Sequence, residues 1–144
     1  MSRIAVELPF GFEPSAFLVD GDNGIFCLGS RQGALACYEI ASGHLIGVWR
    51  HIHDREGVRS IRFHKPPKKT LRCAEILTTG RNWAYQILKI TLPEHLRGNL
   101  PTDVVSDSVA GVDMRCVHHS NLNRGWLEGV CSQYGMSSHL VRNG

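Results

Sequence analysis

Two pairs of histidines come closest to a metal site in this sequence. His51 and His53 would point to one face of an extended chain, and His118 and His119 add two more imidazoles. A zinc site needs at least three protein ligands, and no third ligand follows at a fixed spacing. A small zinc-dependent all-β hydrolase is therefore the weakest of three functional hypotheses, and we expect no metal or other cofactor. We interpret His53 instead as a loop histidine that hydrogen-bonds to a neighbouring turn.

Cysteine-based catalysis has equally little support. No two cysteines have the two-residue gap that metal ribbons and redox motifs use. The five cysteines are Cys27, Cys37, Cys73, Cys116 and Cys131. The sequence also contains no glycine-flanked nucleophile elbow and no phosphate-cradling glycine loop. We therefore expect reduced, mostly buried thiols and a protein that is not an enzyme.

A basic stretch is the remaining candidate for a binding site. Six of the sixteen basic residues fall within it: Arg59, Arg62, Lys65, Lys68, Lys69 and Arg72. It could contact RNA or an acidic partner through charge alone, or it could be a solvated sheet edge whose lysines discourage association. The second interpretation is favoured, because a net charge of +3 is too mild to indicate nucleic-acid binding by itself.

The elements that would position these residues are short strands with no convincing helix. Alternation and turn residues predict three antiparallel strands at 24–28, 34–40 and 45–49. The pattern then restarts after a polar loop. Further strands are predicted at 58–63, 74–79, 84–90, 114–118 and 126–131.

The two predicted hairpins also match residue by residue. An alignment of residues 29–40 with residues 79–90, without gaps, places Arg31 on Arg81 and Gln32 on the similar Asn82. Besides the arginine pair, two identities follow in the strand. The matches fall around the same turn and the same strand, which is what an internal repeat predicts.

This organisation resembles the WD repeat, a four-stranded unit of about 40 to 45 residues. Residues 53–63 look like its histidine loop and first strand, and residues 29–40 look like its second and third strands. The resemblance implies an all-β fold, a partial WD40-type β-propeller of about two to three degenerate four-stranded blades. A closed propeller has four to eight blades, so we expect a fragment, a truncated product or a partial propeller completed by another chain.

The signature residues of the repeat are only partly present. In strong WD blades a histidine, a serine or threonine, an aspartate and a tryptophan form a hydrogen-bonded set. Gln32 and Asn82 stand where aspartate is usual, and residues 38–39 and 88–89 stand where tryptophan-aspartate is usual. In the second unit the set is reduced to His53 and Asn82. The residues that the resemblance makes structural in the blades are Ser30, Gln32, Tyr38, His53 and Asn82.

The resemblance also divides the chain. Residues 1–23 are an N-terminal segment assigned to a preceding blade, and residues 24–90 are two degenerate hairpin units. Residues 91–112 are an inserted loop, and residues 113–144 begin an incomplete further blade.

More specifically, residues 77–82, together with 53–63 and 123–129, are similar to the family of WD repeat-containing protein 6 and its fungal relatives. These are large multi-propeller auxiliary subunits that direct a tRNA 2′-O-methyltransferase to the anticodon loop. The resemblance implies a non-catalytic scaffold that binds the methyltransferase catalytic subunit and tRNA. The alternative is a general WD-repeat protein-interaction module unrelated to RNA. With no signal peptide or membrane-length apolar run, we expect a cytoplasmic protein without a membrane or small-molecule partner.

Overall fold

The computed structural model describes residues 5–53, 56–66, 72–81 and 84–120. These residues form nine β-strands and no α-helix, so none of their elements is a helix able to cross a membrane. The strands are β1 (Pro14–Asp20), β2 (Ile25–Ser30), β3 (Leu35–Glu39), β4 (Leu45–Trp49), β5 (Val58–Phe63), β6 (Cys73–Gly80), β7 (Tyr85–Thr91), β8 (Asp107–Ser108) and β9 (Asp113–His119).

The first sheet has the strand order β1-β2-β3-β4-β8. Its first four strands form an antiparallel meander, because each pair of neighbours in sequence is joined by a tight turn. Gly33 and Gly43 lie in two of these turns with φ of 86° and 73°. This left-handed conformation is costly for residues with a Cβ, so glycine fits the turns best.

The second sheet repeats the arrangement with the order β5-β6-β7-β9. The β6–β7 hairpin keeps an unbroken register from Cys73 opposite Thr91 to Thr79 opposite Tyr85. The fourth strand, β9, pairs with β7 after the chain has crossed the segment that contains β8. Residues 113–119 therefore complete this sheet.

Three segments differ from the sequence-based expectation. Residues 113–119, expected to begin a further blade, form the fourth strand of the second sheet. Residues 14–20 form β1, the edge strand of the first sheet, and pair with β2. Residues 91–112, expected to be an inserted loop, contribute β8 to the same sheet, because Ser108 pairs with Gly47 in β4. The backbone amide of Leu100 also donates to the carbonyl of Leu45 at 2.9 Å.

One apolar core joins the inner faces of the two sheets. Its buried members alternate along the strands with residues that face the other way. From the first sheet they are Ile25, Cys27, Leu35, Cys37 and Ile46, and from the second Val58, Ile61, Ala74, Ile76, Leu88 and Ile90. Each is at most 7% exposed, so burial of these side chains is the main stabilising term.

A second core covers the outer face of the first sheet. Phe26 and Tyr38 stack there with ring centroids 4.9 Å apart. Phe12 from the segment before β1 and Leu100 from the segment after β7 pack over them. Arg50 holds the two covering segments together, since its guanidinium donates to the carbonyls of Phe10 and Val104.

The all-β expectation is confirmed: the described residues form two open antiparallel sheets that share a core. Within those residues the sheets do not close into a ring.

Candidate functional site

The loop between the two sheets is packed between two hairpin turns. Gly57 has a φ of 76°, and a Cβ at this position would lie 2.7 Å from the backbone oxygen of Arg31 in the β2–β3 turn. On the other side, a Cβ on Gly80 would lie 3.0 Å from Nδ1 of His53. The two glycines therefore let the loop approach both turns closely, which brings the turns of the two sheets to one site.

A cavity of about 440 Å³ opens at this junction. Both sheets contribute to its lining, which consists of Ser15, Arg31, Glu56, Gly57, Val58, Arg59 and Arg81. The three arginines come from the β2–β3 turn, from β5 and from the residue that follows β6. Among the described residues of the lining, three arginines outnumber one glutamate, and arginine is the side chain best suited to binding an anion.

The backbone around the cavity is held in place by contacts across the sheets. The hydroxyl of Ser15 donates to the carbonyl of Val58 at 2.5 Å and lies 3.3 Å from the carbonyl of Gly29. The amide of Arg31 donates to the carbonyl of Glu13 at 2.8 Å. The arginine side chains are thus exposed, but they project from a fixed frame.

The three arginines of the lining are side chains suited to binding an anion. Arginine stays charged at all ordinary pH values, and its planar fork matches a carboxylate or phosphate in a bidentate geometry. Among the described residues of the lining, Ser15 provides one hydroxyl, which already donates to a backbone carbonyl.

The predicted basic stretch does not form one surface in the described residues. Arg59 lines the cavity, and Arg62 is exposed further along β5. At the far end of the strand, Lys65 Nζ lies 3.4 Å from Glu75 Oε2, and Arg72 Nε donates to the carbonyl of Pro93 at 2.7 Å. Lys68 and Lys69 lie outside the described residues.

Sequence reasoning did not select Arg31 and Arg81 as site residues. The structure places them in the lining with Arg59, one from each hairpin. The signal that could have found them is the repeat alignment itself, which matched these two arginines at equivalent turn positions.

Three of the residues expected to be structural lie in the first sheet. Ser30 is fully buried, and its hydroxyl oxygen accepts hydrogen bonds from the amides of Gln32 and Ala34 at 3.2 and 3.0 Å. The side chain of Gln32 exchanges two hydrogen bonds with Glu13. Tyr38 donates its hydroxyl to the carbonyl of Glu7, and burial raises its pKa to about 12. These contacts tie the hairpin to the segment before β1.

His53 lies in the loop before β5 and is buried. Its Nε2 is 2.8 Å from Oγ1 of Thr78 in β6, and the Thr78 hydroxyl reaches the carbonyl of Gln86 at 3.5 Å. The side-chain amide of Gln86 in turn donates to the carbonyl of Ile52. Burial lowers the pKa of His53 to about 4, so the imidazole is neutral at pH 7.

The partner of His53 was not singled out from the sequence. Thr78 stands two residues before Gly80, at a position that the expected set of the second unit did not include. Leu28 occupies the matching place in the first hairpin, so this bond has no equivalent there. Asn82, the other expected member of the set, lies outside the described residues.

The remaining histidines do not come together as a metal site. His51 is exposed with a φ of 71°, His118 lies against the ring of Tyr85, and His119 is buried. Among the described residues, no group of three or more histidine, cysteine, aspartate or glutamate side chains is placed to hold a metal ion. Their four cysteines are free thiols, and Cys131 lies outside this part of the chain.

Comparison of the chain with protein-family models, with curated proteins and with solved structures gives no match.

Proposed function

We propose that this chain is a non-catalytic binding scaffold of the WD-repeat kind, with its two sheets as neighbouring propeller blades. The observation that carries the proposal is the hydrogen bond between His53 and Thr78. It links the loop before the first strand of a sheet to the second strand of that sheet. The resemblance described above gives His53 to a hydrogen-bonded set that also contains a serine or threonine, and we propose Thr78 as that member in the second unit.

The organisation of the sheets supports the same proposal. Each contains four antiparallel strands whose order in the sheet follows their order in the chain, and their facing sides share one core. Repeat proteins are built in this way, because a single unit cannot bury its apolar face without a neighbour.

The partner that the resemblance suggests is the catalytic subunit of a tRNA 2′-O-methyltransferase, with tRNA as its substrate. We propose that the chain would act there by binding and positioning, since the described residues of the cavity lining offer charge and hydrogen bonds.

A general protein-interaction module is the second candidate, and one observation favours it. Lys65 and Arg72, which belonged to the candidate phosphate-contacting stretch, are engaged with Glu75 and Pro93. They therefore provide less free charge for an RNA backbone than the sequence suggests.

Affinity purification of the tagged full chain from cells, under mild salt, separates the candidates. Recovery of a tRNA 2′-O-methyltransferase, followed by faster tRNA methylation when the purified chain is added to that enzyme, supports the first. Stoichiometric recovery of other proteins without the methyltransferase supports the second. Failure to recover any stoichiometric partner contradicts the scaffold proposal itself.

A further inference from the structure

We propose that Cys27 and Cys37 form a redox site, at which a small disulfide such as oxidised glutathione converts the two thiols into a disulfide bond between β2 and β3. The observation that carries the proposal is the register of the first sheet, which places these two residues, the cysteine pair, directly opposite each other. The proposal goes beyond the scaffold function and does not depend on it. It concerns how the first sheet is held together.

The backbone hydrogen bonds on either side define the kind of position that the cysteine pair occupies. The amide of Ser30 donates to the carbonyl of Ala34 at 2.9 Å. The amide of Ile40 donates to the carbonyl of Gly24 at 2.8 Å. Both bonds follow the same register as the cysteine pair and lie three residues away from it along the strands. Hydrogen-bonded and non-hydrogen-bonded pairs alternate in an antiparallel ladder, so the cysteine pair is non-hydrogen-bonded, the kind in which opposite side chains approach more closely.

This geometry suits a disulfide. Opposite residues in an antiparallel ladder have Cα atoms about 4.5 to 5.5 Å apart, and disulfides join residues whose Cα atoms are about 4.4 to 6.8 Å apart. The thiols of Cys27 and Cys37 already share a hydrogen bond. Oxidation removes two hydrogens and adds no atom, so it does not overpack the core. On the other side of Cys37, Gly47 lies opposite it in β4 and has no side chain to crowd the sulfur.

The other cysteines of the described residues are not placed to form such a bond with each other. Cys73 lies opposite Thr91, and Cys116 lies opposite Leu88. Their strands, β6 and β9, are separated by β7. Two strand spacings amount to about 9.5 Å, which is too far for a disulfide. The cysteine pair is therefore the site at which oxidation can join two of the described thiols without moving the backbone.

The reaction consists of two thiol–disulfide exchanges. The thiolate of one cysteine attacks a sulfur of oxidised glutathione, which forms a mixed disulfide and releases one glutathione thiolate. The thiolate of the second cysteine then attacks the protein sulfur of the mixed disulfide and releases the second glutathione. Two cysteine thiols are oxidised and one glutathione disulfide is reduced to two glutathione molecules. The two cysteine protons end on the two released thiolates.

Burial determines when this reaction occurs. Cys27 and Cys37 are 2% and 0% exposed, in the core between the sheets. Oxidised glutathione cannot reach them there, so the first exchange requires the β2–β3 hairpin to open. The second exchange is intramolecular and follows when the strands close. The disulfide therefore accumulates when opening and oxidant coincide, and it then holds the hairpin closed.

The test uses the purified full chain in glutathione buffers of graded redox ratio at pH 8, quenched with excess N-ethylmaleimide. Trypsin cuts after Arg3, Arg31 and Arg50, so the disulfide joins peptides 4–31 and 32–50, which separate on reduction. We expect this linked pair of peptides to be the main protein disulfide by mass spectrometry. In sub-denaturing urea it should form at least about threefold faster, while glutathionylation of the partly exposed Cys73 stays within about twofold.

The oxidised chain should also be more stable than the reduced chain. Closing the loop of residues 27–37 lowers the equilibrium constant for unfolding about 100-fold in the chain-entropy account. Urea denaturation with and without dithiothreitol measures the difference. Cys37→Ala removes one thiol of the cysteine pair and should abolish it, whereas Cys116→Ala removes a buried thiol outside the pair and should retain it. The disulfide map of the parent chain decides the proposal even if a variant fails to fold.

Three results would overturn the proposal. The first is absence of the linked peptides 4–31 and 32–50 in the most oxidising buffer, under conditions that glutathionylate Cys73. The second is a different main disulfide, such as one that contains Cys73 or Cys131. The third is an oxidised chain that unfolds at the same or a lower urea concentration than the reduced chain, which would show that the bond does not fit the sheet. None of these results bears on the scaffold function, which the recovery of partners tests separately.

Discussion

Nε2 of His53 lies 2.8 Å from Oγ1 of Thr78, inside the sheet and away from solvent. The Thr78 hydroxyl donates its proton towards the carbonyl of Gln86. A lone pair on the Thr78 oxygen is therefore free to accept the Nε2 proton of the neutral imidazole. The bond therefore fixes the loop between the sheets to β6, and the cavity depends on the position of that loop.

Removing the hydroxyl of Thr78 tests this relationship. Thr78→Val keeps the shape of the side chain but leaves a buried imidazole donor without its acceptor. We expect a loss of about 1 to 3 kcal/mol in the free energy of unfolding, measured by urea denaturation at pH 7. The control is Thr91→Val at an exposed position of β7, where the change should stay within about 0.5 kcal/mol. Equal effects at the two positions would show that the bond to His53 contributes nothing.

The same histidine predicts an acid-sensitive stability. Its pKa is lowered from 6.5 to about 4 by burial, so between these values the unfolded chain binds a proton that the folded chain excludes. The contribution is fully present above about pH 6.5 and is lost progressively as the pH falls towards 4, by up to about 3 kcal/mol. Burial also lowers the pKa of His119, which acts in the same direction.

Urea midpoints measured between pH 4.5 and 7.5 check this expectation. His53→Gln retains an amide that can donate to Thr78 but does not titrate, so its stability should fall less steeply over that interval. Parallel curves for the parent and His53→Gln would assign the acid sensitivity to other groups.

Two buried cysteines on neighbouring strands give a prediction about reactivity. Cys27 and Cys37 lie directly opposite each other in β2 and β3 and are 2% and 0% exposed. A hydrogen bond with Cys27 is the largest cause, and burial the second, that raise the pKa of the Cys37 thiol well above its ordinary value. Both thiols should therefore react with Ellman's reagent only when the sheet opens.

We expect their modification in the native protein at pH 8 to be on the order of 100-fold slower than that of the partly exposed Cys73. A Cys131→Ser background and peptide mapping by mass spectrometry assign each rate to one residue. Modification of Cys27 or Cys37 as fast as Cys73 would contradict the packing of the first sheet.

The hairpins were predictable from sequence because their determinants are local. Gly33 follows a polar turn, and the flanking strands 25–30 and 35–39 carry the apolar and β-branched residues that favour such a structure. In contrast, β1 was missed, since its run from Ala16 to Val19 is apolar on both faces and shows no alternation.

The candidate site was harder to predict because non-local packing assembles it. Arg31 and Arg81 are 50 residues apart, and contacts between the sheets, such as the fit of Gly57 against the Arg31 backbone, bring their turns to one cavity. The basic stretch, by contrast, was conspicuous in sequence, but an extended strand rises about 3.3 Å per residue and so separates its members. Arg59 and Lys65 therefore lie near opposite ends of β5.

Substitution of Gly57 tests how the cavity is assembled. Gly57→Ala combines a left-handed backbone, with φ of 76°, and a Cβ only 2.7 Å from the Arg31 carbonyl oxygen. The first effect costs about 1 to 2 kcal/mol, and relief of the overlap must separate the loop from the β2–β3 turn. We expect a loss in the free energy of unfolding of about 2 kcal/mol or more in urea denaturation.

Two other glycines separate these effects. Gly11 has a φ of 71° with open space around its Cβ position, so Gly11→Ala should show the backbone cost alone. Gly21 has open space and no left-handed backbone, so Gly21→Ala should be neutral or slightly stabilising. If Gly57→Ala costs no more than Gly11→Ala, the close approach to Arg31 is not what holds the two turns together. A larger loss at Gly57 than at Gly11 assigns the difference to that contact, because the two sites share the same backbone conformation.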